Sequence, residues 1–181
     1  MINYRQDEAA ERQAQVQRVN EKITRLYFDH STEKRTGMDG AKVTIYKSKF
    51  IETETELTDA VEIAKEAVIR AITEYDTSDA VNEFTYGGVK MWLDKSARSA
   101  LLTRFNAEDN AGKESTTLWY GTHSFNLSIE QGIQLIFALE VYASECYDRT
   151  AAHKAAVMAL DDISDIINYD FKAGYPPKLN V

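Results

Sequence analysis

The stretch Ser128–Tyr147 constrains the fold more than any other part of the sequence. It opens with Ser128-Ile129-Glu130-Gln131, which fits a capping box, in which the serine hydroxyl accepts from a backbone N–H and the glutamine side chain reaches back. Apolar side chains then follow around most of the helix circumference: Ile129, Ile133, Leu135, Ile136, Leu139, Tyr142, Ala143, Cys146 and Tyr147. A helix this apolar is normally covered on two or more sides. We therefore predict a central helix on which the rest of the C-terminal half packs.

Glu140 interrupts this apolar surface, because it falls in the middle of the helix face formed by Ile133, Ile136 and Ala143. A carboxylate buried there must be paired or it becomes protonated. Arg98 and Arg104, on the preceding predicted helix, are the candidate partners. Three interpretations stay open: an internal ion pair that fixes the packing, an edge position where the side chain reaches water, and a catalytic acid. For a buried pair, we expect Glu140→Gln to cost about 3–5 kcal/mol of stability.

Two glycine-centred hairpins give the clearest strand signals in the chain. They are Phe84–Trp92 around Gly87-Gly88 and Leu118–Phe125 around Gly121-Thr122. Two-residue turns need positive φ angles, which glycine adopts easily. Between the hairpins, Asp94 is the predicted N-cap of a helix that ends near Asn110. The order hairpin, helix, hairpin, helix predicts a small antiparallel sheet with helices on one face.

Further elements are predicted from periodicity and turn signals. They are a strand over Lys42–Lys47 and helices over 57–75, 79–82, 150–160 and 162–171.

Residues 5–28 are predicted to form a long polar helix. Its second half places apolar residues at alternating spacings of three and four, a short coiled-coil-like stripe: Val16, Val19, Ile23 and Leu26. Two interpretations compete. In the first, the helix lies on its own domain; in the second, it oligomerises or docks, and the stripe forms a seam between chains. A polar connector follows and ends at the turn signal Asp39-Gly40.

Together these patterns predict an α+β fold that is mostly helical. Two short β-hairpins form a small antiparallel sheet packed by helices, and a long N-terminal helix is added to it. We expect two parts: residues 1–55 as the N-terminal helix and connector, serving assembly or docking, and residues 56–181 as a compact α+β domain.

Composition narrows the classes of partner. The formal net charge of -8 gives no electrostatic reason to bind nucleic acid or an anionic membrane. No apolar run approaches the ~20 residues of a membrane span, and the N-terminus does not have the pattern of a signal peptide. The single cysteine, Cys146, has no partner for an internal disulfide. We expect no nucleic acid, no membrane, and synthesis in a reducing cytoplasm.

No motif of catalysis or of metal binding stands out. His30, His123 and His153 have no metal-ligand spacing, and neither a phosphate-cradling glycine loop nor a nucleophile motif is present. We therefore expect no enzyme activity, no metal and no cofactor. Trp92, Trp119 and Tyr120 on the hairpins fit cross-strand packing or, alternatively, an exposed stacking platform for a sugar or for bases.

Several segments of the C-terminal half resemble a known family. They are Tyr75–Asn82, Met91–Lys95 with Arg98, Thr116–Tyr120 and Phe171–Pro176. These segments are similar to a small phage and prophage domain, domain of unknown function 4376. The family occurs in tail, tail-fibre and related virion proteins, including those of phages of gut Bacteroides-type bacteria. The resemblance covers about residues 75–177, and its motifs are structural rather than catalytic.

The resemblance implies a non-enzymatic virion structural protein, a tail or tail-fibre-associated assembly or adaptor module. Such a protein would be made in the cytoplasm of the bacterial host and would reside in the virion. Its partners would be other phage virion proteins, either in a homo-oligomer or docked to a larger assembly. The alternatives are a head-attached fibre or capsid-associated protein, and a carbohydrate-binding module that uses exposed Trp92, Trp119 or Tyr120.

Overall fold

A computed structural model describes all of residues 1–181 and shows an α+β fold of eight strands and five helices. The chain divides into two compact units. The first comprises residues 1–73 and 152–173, and the second comprises residues 74–151 and 174–181. This division differs from the predicted one, because residues 152–173 group with the N-terminal strands.

The first unit is built on a four-stranded antiparallel sheet. In chain order its strands are β1 (Arg5–Ala9), β2 (Val16–Arg18), β3 (Ile23–Thr36) and β4 (Lys42–Glu54). They are arranged in the order β1-β4-β3-β2. Helix α1 (Ala60–Asp76) begins in this unit, and α5 (Ile163–Ile167) lies within it. The unit buries apolar side chains from all these elements except β1 and β2, among them Leu26, Tyr27, Phe28, Phe50, Ile51, Ile63, Val68, Ile166 and Ile167.

The predicted long N-terminal helix is wrong, because residues 5–28 form β1, β2 and the first part of β3. The chain reverses at Asn20, whose Oδ1 accepts hydrogen bonds from the backbone N–H groups of Lys22 at 2.9 Å and Ile23 at 2.8 Å. The N–H of Val19 closes the turn on the carbonyl of Ile23 at 2.9 Å. Such a side-chain turn competes directly with a helix. The β-branched and aromatic residues that follow over Ile23–Phe28 favour a strand.

Strands β3 and β4 extend beyond their neighbours. β2 pairs only with residues 24–26 of β3, and β1 pairs only with residues 46–50 of β4. Residues 32–45 therefore form a two-stranded segment, which we call the ribbon, with no strand on either outer edge. The ribbon ends in a turn over Gly37–Gly40, closed by a 2.8 Å hydrogen bond from Gly37 N–H to the Ala41 carbonyl. The predicted polar connector is thus strand up to Thr36.

The second unit contains both glycine-turned hairpins. They are β5 (Phe84–Tyr86) with β6 (Val89–Met91), and β7 (Ser115–Tyr120) with β8 (His123–Ser128). Each hairpin forms a separate two-stranded sheet, so the prediction of one shared sheet is wrong. Beside β5 lies the C-terminal segment instead: Thr85 N–H donates to the Leu179 carbonyl at 3.0 Å, and Val181 N–H donates to the Thr85 carbonyl at 2.9 Å.

Three helices complete the second unit: α2 (Asp79–Asn82), α3 (Lys95–Asn110) and the first part of α4 (Ile129–Met158). The side chain of Asp94 caps α3 by accepting from Ala97 N–H at 2.8 Å. Both hydrogen bonds of the predicted capping box of α4 are present: Gln131 N–H donates to Ser128 Oγ at 3.1 Å, and Ser128 N–H donates to Gln131 Oε1 at 2.9 Å. Helix α4 continues unbroken to Met158, so the helix predicted to begin at Thr150 is part of it.

The core of the second unit lies among the hairpins, α3 and α4. Its buried residues include Phe84, Met91, Leu93, Phe105, Leu118, Leu127, Leu135, Ile136 and Leu139. Phe105 is fully buried and lies directly against the backbone of α4 at Gly132. A Cβ atom at Gly132 would stand 2.9 Å from Phe105 Cε2. Glycine at this position therefore permits the close approach of α3 to α4.

Candidate functional site

The four residues predicted as an oligomer or docking interface do not form a stripe. Val16 and Leu26 are direct cross-strand partners in β2 and β3, and Leu26 is fully buried. Ile23 is half-buried at the start of β3, and Val19, 45 % exposed, lies in the turn before it. A helical seam needs all four on one helix face. Because the helix is absent, the four residues do not form the predicted helical seam.

Glu140 and Arg98 are brought together. Arg98 Nε donates to Glu140 Oε1 at 2.8 Å, and Arg98 Nη1 donates to the carbonyl of Leu93 at 2.7 Å. Arg98 is only 4 % exposed, whereas the side chain of Glu140 is 43 % exposed. The pair thus joins α3 to α4 at the edge of the core, with the cation inside and the carboxylate reaching water.

Arg104 does not join this pair. Its Nη2 donates to Thr116 Oγ1 at 2.6 Å, and its Nε donates to Glu108 Oε1 at 3.3 Å. It therefore ties α3 to β7 instead of to α4.

A network of exposed charges lies on one face of the ribbon and at its base. The guanidinium of Arg35 binds the carboxylate of Glu8 through Nη1 and Nη2, at 2.9 Å and 3.0 Å. It also binds Glu33, with 3.1 Å between Arg35 Nε and Glu33 Oε1, and Glu33 forms an ion pair with Lys47. These hydrogen bonds, first from Arg35 and then from Lys47, lower the pKa of Glu33 to about 2. The network cross-links β1, β3 and β4 where the four-stranded sheet gives way to the ribbon.

The opposite face of the ribbon carries positive charge without such partners. Lys34 pairs in register with Thr44, and Thr36 pairs with Lys42, so both lysines project from the face opposite Glu33 and Arg35. Neither lysine forms an ion pair within the protein. At the tip of the ribbon, the side chain of Met38 is fully exposed. The ribbon therefore presents open backbone edges, a basic face and an apolar tip.

A cleft of about 220 Å³ lies in the second unit, among the end of α1, α2, the start of α3 and α4. The residues of its wall that matter chemically are Asp76, Asn82, Trp92, Lys95, Arg98 and Tyr147. The guanidinium of Arg98 stands 5.5 Å above the ring of Trp92. The backbone N–H of Trp92 donates to the hydroxyl of Tyr120 at 3.2 Å. The first contact orients the indole at the cleft, and the second holds the backbone of Trp92.

Two further groups in the wall of the cleft are held neutral. Burial raises the pKa of Tyr142, whose hydroxyl donates to the carbonyl of Val81 at 2.7 Å. Burial likewise raises the pKa of the Cys146 thiol. A thiol acts as a nucleophile only as the thiolate. Cys146 is therefore held as the neutral thiol in the wall of the cleft.

A wider groove of about 710 Å³ lies elsewhere in the second unit. Its wall is mostly apolar and includes Tyr86, Leu135, Ala138 and Val181, with Glu130, Gln131 and Gln134 as polar members.

None of the three histidines lines the cleft or the groove. His153 is buried in the first unit, with Nδ1 2.9 Å from the Tyr169 hydroxyl and Nε2 3.0 Å from the carbonyl of Ala173. His30 Nδ1 lies 2.8 Å from Ser48 Oγ, and His123 is exposed in β8. No group of three or more His, Cys, Asp or Glu residues is placed to hold a metal ion. None of the helices combines the length and the apolar character needed to cross a bilayer.

Sequence reasoning missed both the tip of the ribbon and the cleft. Met38 lies in the segment predicted to be a connector, so the sequence did not predict that it is exposed at the tip of a strand pair. The cleft draws on four helices, and two of the segments that carry the family resemblance, Tyr75–Asn82 and Met91–Lys95 with Arg98, meet in its wall. Only the structure shows that these two segments lie in the wall of the same cleft.

Comparisons with known proteins give one match. The sequence model of the family described as domain of unknown function (DUF4376) matches residues 63–173. No curated protein and no solved structure matches the chain. Because the matched segment is well over half of the 181 residues, the chain belongs to the domain of unknown function 4376 family.

Proposed function

We propose that this protein is a non-catalytic structural module of a phage virion, an assembly adaptor associated with the tail or tail fibre. The resemblance of its C-terminal half to a domain of phage virion proteins supports a location in the virion. The protein is then made in the cytoplasm of the bacterial host, and its partners are other virion proteins.

The single observation that carries the adaptor role is the ribbon. A strand pair with free outer edges offers backbone N–H and C=O groups to a further strand, a recurring mode of protein recognition. An isolated two-stranded ribbon is at best marginally stable in water. A strand added from a neighbour supplies the missing hydrogen bonds, and the flexible thioether of Met38 fills an apolar hollow beside it.

Charge defines the partner. Lys34 and Lys42 hinder indiscriminate pairing of the ribbon edges, as charged residues commonly do at the edge of a sheet. They also favour a partner strand with Asp or Glu at the facing positions. We therefore expect the ribbon to dock on an acidic strand of a neighbouring virion protein.

The test is a ribbon variant that combines Lys34→Glu, Lys42→Glu and Met38→Ser. All three positions are exposed, so the variant keeps the melting temperature of the parent chain. We expect it to be lost from purified particles of a phage whose own copy of the gene is replaced. Lys22→Glu, an exposed charge reversal outside the ribbon, is the matched control and is incorporated normally. Equal incorporation of the ribbon variant and the control contradicts docking through the ribbon.

Light scattering on the free chain separates a homo-oligomer from a monomer that docks on a different protein. An oligomer that the ribbon variant reduces to monomers would mean that the acidic strand belongs to a second copy. The position of the protein in particle images separates the tail from a head-attached fibre or the capsid.

A further inference from the structure

We propose that the cleft of the second unit binds one neutral sugar ring, a pyranose such as the terminal unit of a glycan. This inference rests on a different region from the ribbon and is independent of the proposed assembly role.

The cleft has the apolar surface that a sugar ring requires. The ring of Trp92 lines it and is held in place by Arg98, and Tyr147, 71 % exposed, stands at its rim. The C–H face of a pyranose is apolar and can stack on the face of an aromatic side chain such as Trp or Tyr.

The cleft also has hydrogen-bonding groups that the protein leaves unused. The carboxamide of Asn82, a half-buried residue, makes no hydrogen bond within the protein. Arg98 uses Nε and Nη1 but not Nη2, although the residue is more than nine-tenths buried. Asp76 Oδ1 accepts a hydrogen bond from the Thr150 hydroxyl, and Asp76 Oδ2 stays available as a second acceptor. These atoms are free to bind a ligand with several hydroxyl groups, because a hydroxyl both donates and accepts hydrogen bonds.

Charge and size both favour a single neutral ring. The residues that line the cleft include two carboxylates, Asp76 and Asp94, and two cations, Lys95 and Arg98, so their formal charges cancel. An anionic or cationic ligand would therefore find no net opposite charge. The cavity of about 220 Å³ holds the equivalent of about seven waters, which suits one hexose rather than an extended chain.

The experiment uses the full chain with Trp119→Phe. Because the protein has only two tryptophans, Trp92 then becomes the sole indole and reports on the cleft. The probes are the methyl glycosides of glucose, galactose, mannose and N-acetylglucosamine. We expect at least one to change the Trp92 emission in a saturable way. Asn82→Ala and Tyr147→Ala should each raise its Kd about three- to ten-fold, the effect of losing one ordinary contact.

Phe137→Ala is the matched control, because it removes an aromatic ring that is 50 % exposed on the same helix but outside the cleft. It should leave the Kd within a factor of about two. Asn82 makes no internal side-chain hydrogen bond, so Asn82→Ala keeps the fold and the test stays interpretable.

Three results would overturn the proposal. The first is that no glycoside changes the emission at tens of millimolar. The second is that Phe137→Ala weakens binding as much as Tyr147→Ala. The third is calorimetric binding to the parent chain that is lost with Trp119→Phe, which would place the sugar on β7 instead.

Discussion

The core of the second unit and the ribbon of the first unit both include antiparallel strand pairs, yet different interactions stabilise them. Around Phe105, apolar side chains from two hairpins and two helices exclude water completely. On the ribbon most side chains are exposed, and Glu33 and Arg35 form ion pairs on one face with Glu8 and Lys47 at its base. The contrast shows that the core depends on shape, whereas the ribbon depends on charges that salt and pH can weaken.

The largest effect is expected in the core. Phe105→Ala removes a fully buried ring between α3 and α4 and should lower the free energy of unfolding by about 3–5 kcal/mol. Urea titration followed by circular dichroism measures it. Phe137→Ala, the same change at a half-exposed position, should stay within about 0.5 kcal/mol. Equal losses for the two variants would refute the placement of the core.

The close approach at Gly132 gives the next effect. Gly132→Ala brings a methyl group to 2.9 Å from the ring of Phe105 and should cost about 1–3 kcal/mol, the usual range for overpacking. Introducing Gly132→Ala into Phe105→Leu, where the side chain is smaller, should cost less. A stabilising Gly132→Ala in the parent chain would show that α3 and α4 are further apart than described.

The ion pair at the edge of the core is expected to contribute less than a buried pair. Glu140→Gln should cost about 1–2 kcal/mol, because a hydrogen bond to a charged group weakens while water still reaches the site. This value replaces the 3–5 kcal/mol expected from the sequence for full burial. Glu145→Gln, exposed on the same helix, is the control and should change little. A cost above that of Phe105→Ala would mean that water does not reach Glu140.

The smallest effect concerns the ribbon and its dependence on pH. The folded-state pKa of Glu33 is about 2, below the ordinary value of 4.5. Its contribution to stability is therefore present above pH 4.5 and is lost as the pH falls from about 4.5 towards 2. Carbonyl-detected NMR titration of Glu33 measures this directly. Arg35→Ala should return the pKa towards 4.5, and an unchanged value in that variant would contradict the network.

Much of the second unit was predictable, because its signals are local. A serine three residues before a glutamine specified the start of α4, Asp94 specified the start of α3, and glycine-containing two-residue turns specified the hairpins. These features act over two to four residues. Their pairing with one another depends on distant contacts, so the merging of two predicted helices into α4 and the separation of the hairpins were not predictable in the same way.

The N-terminal prediction failed for a physical reason. Val16, Val19, Ile23 and Leu26 match helical spacing by coincidence, because a turn at Asn20 lies between the first pair and the second. Leu26 and Phe28 face one side of β3 and Tyr27 faces the other, and all three are buried. A strand covered on both faces loses the alternation that would identify it.

The candidate sites also differ in how far the sequence could predict them. The contact between Glu140 and Arg98 was among the pairings anticipated from the periodicity of two helices. The cleft joins Asp76, Asn82 and Tyr147 from different elements, and no spacing along the chain relates them.

The most direct test of the proposed docking uses a photo-crosslinking amino acid at Met38, introduced into the chain within assembled phage particles. The ribbon account predicts a crosslink to one virion protein, at or beside an acidic strand. The same amino acid at Ala100, exposed on α3, should give no crosslink to that protein. No crosslink from Met38, or the same products from both positions, would contradict the account.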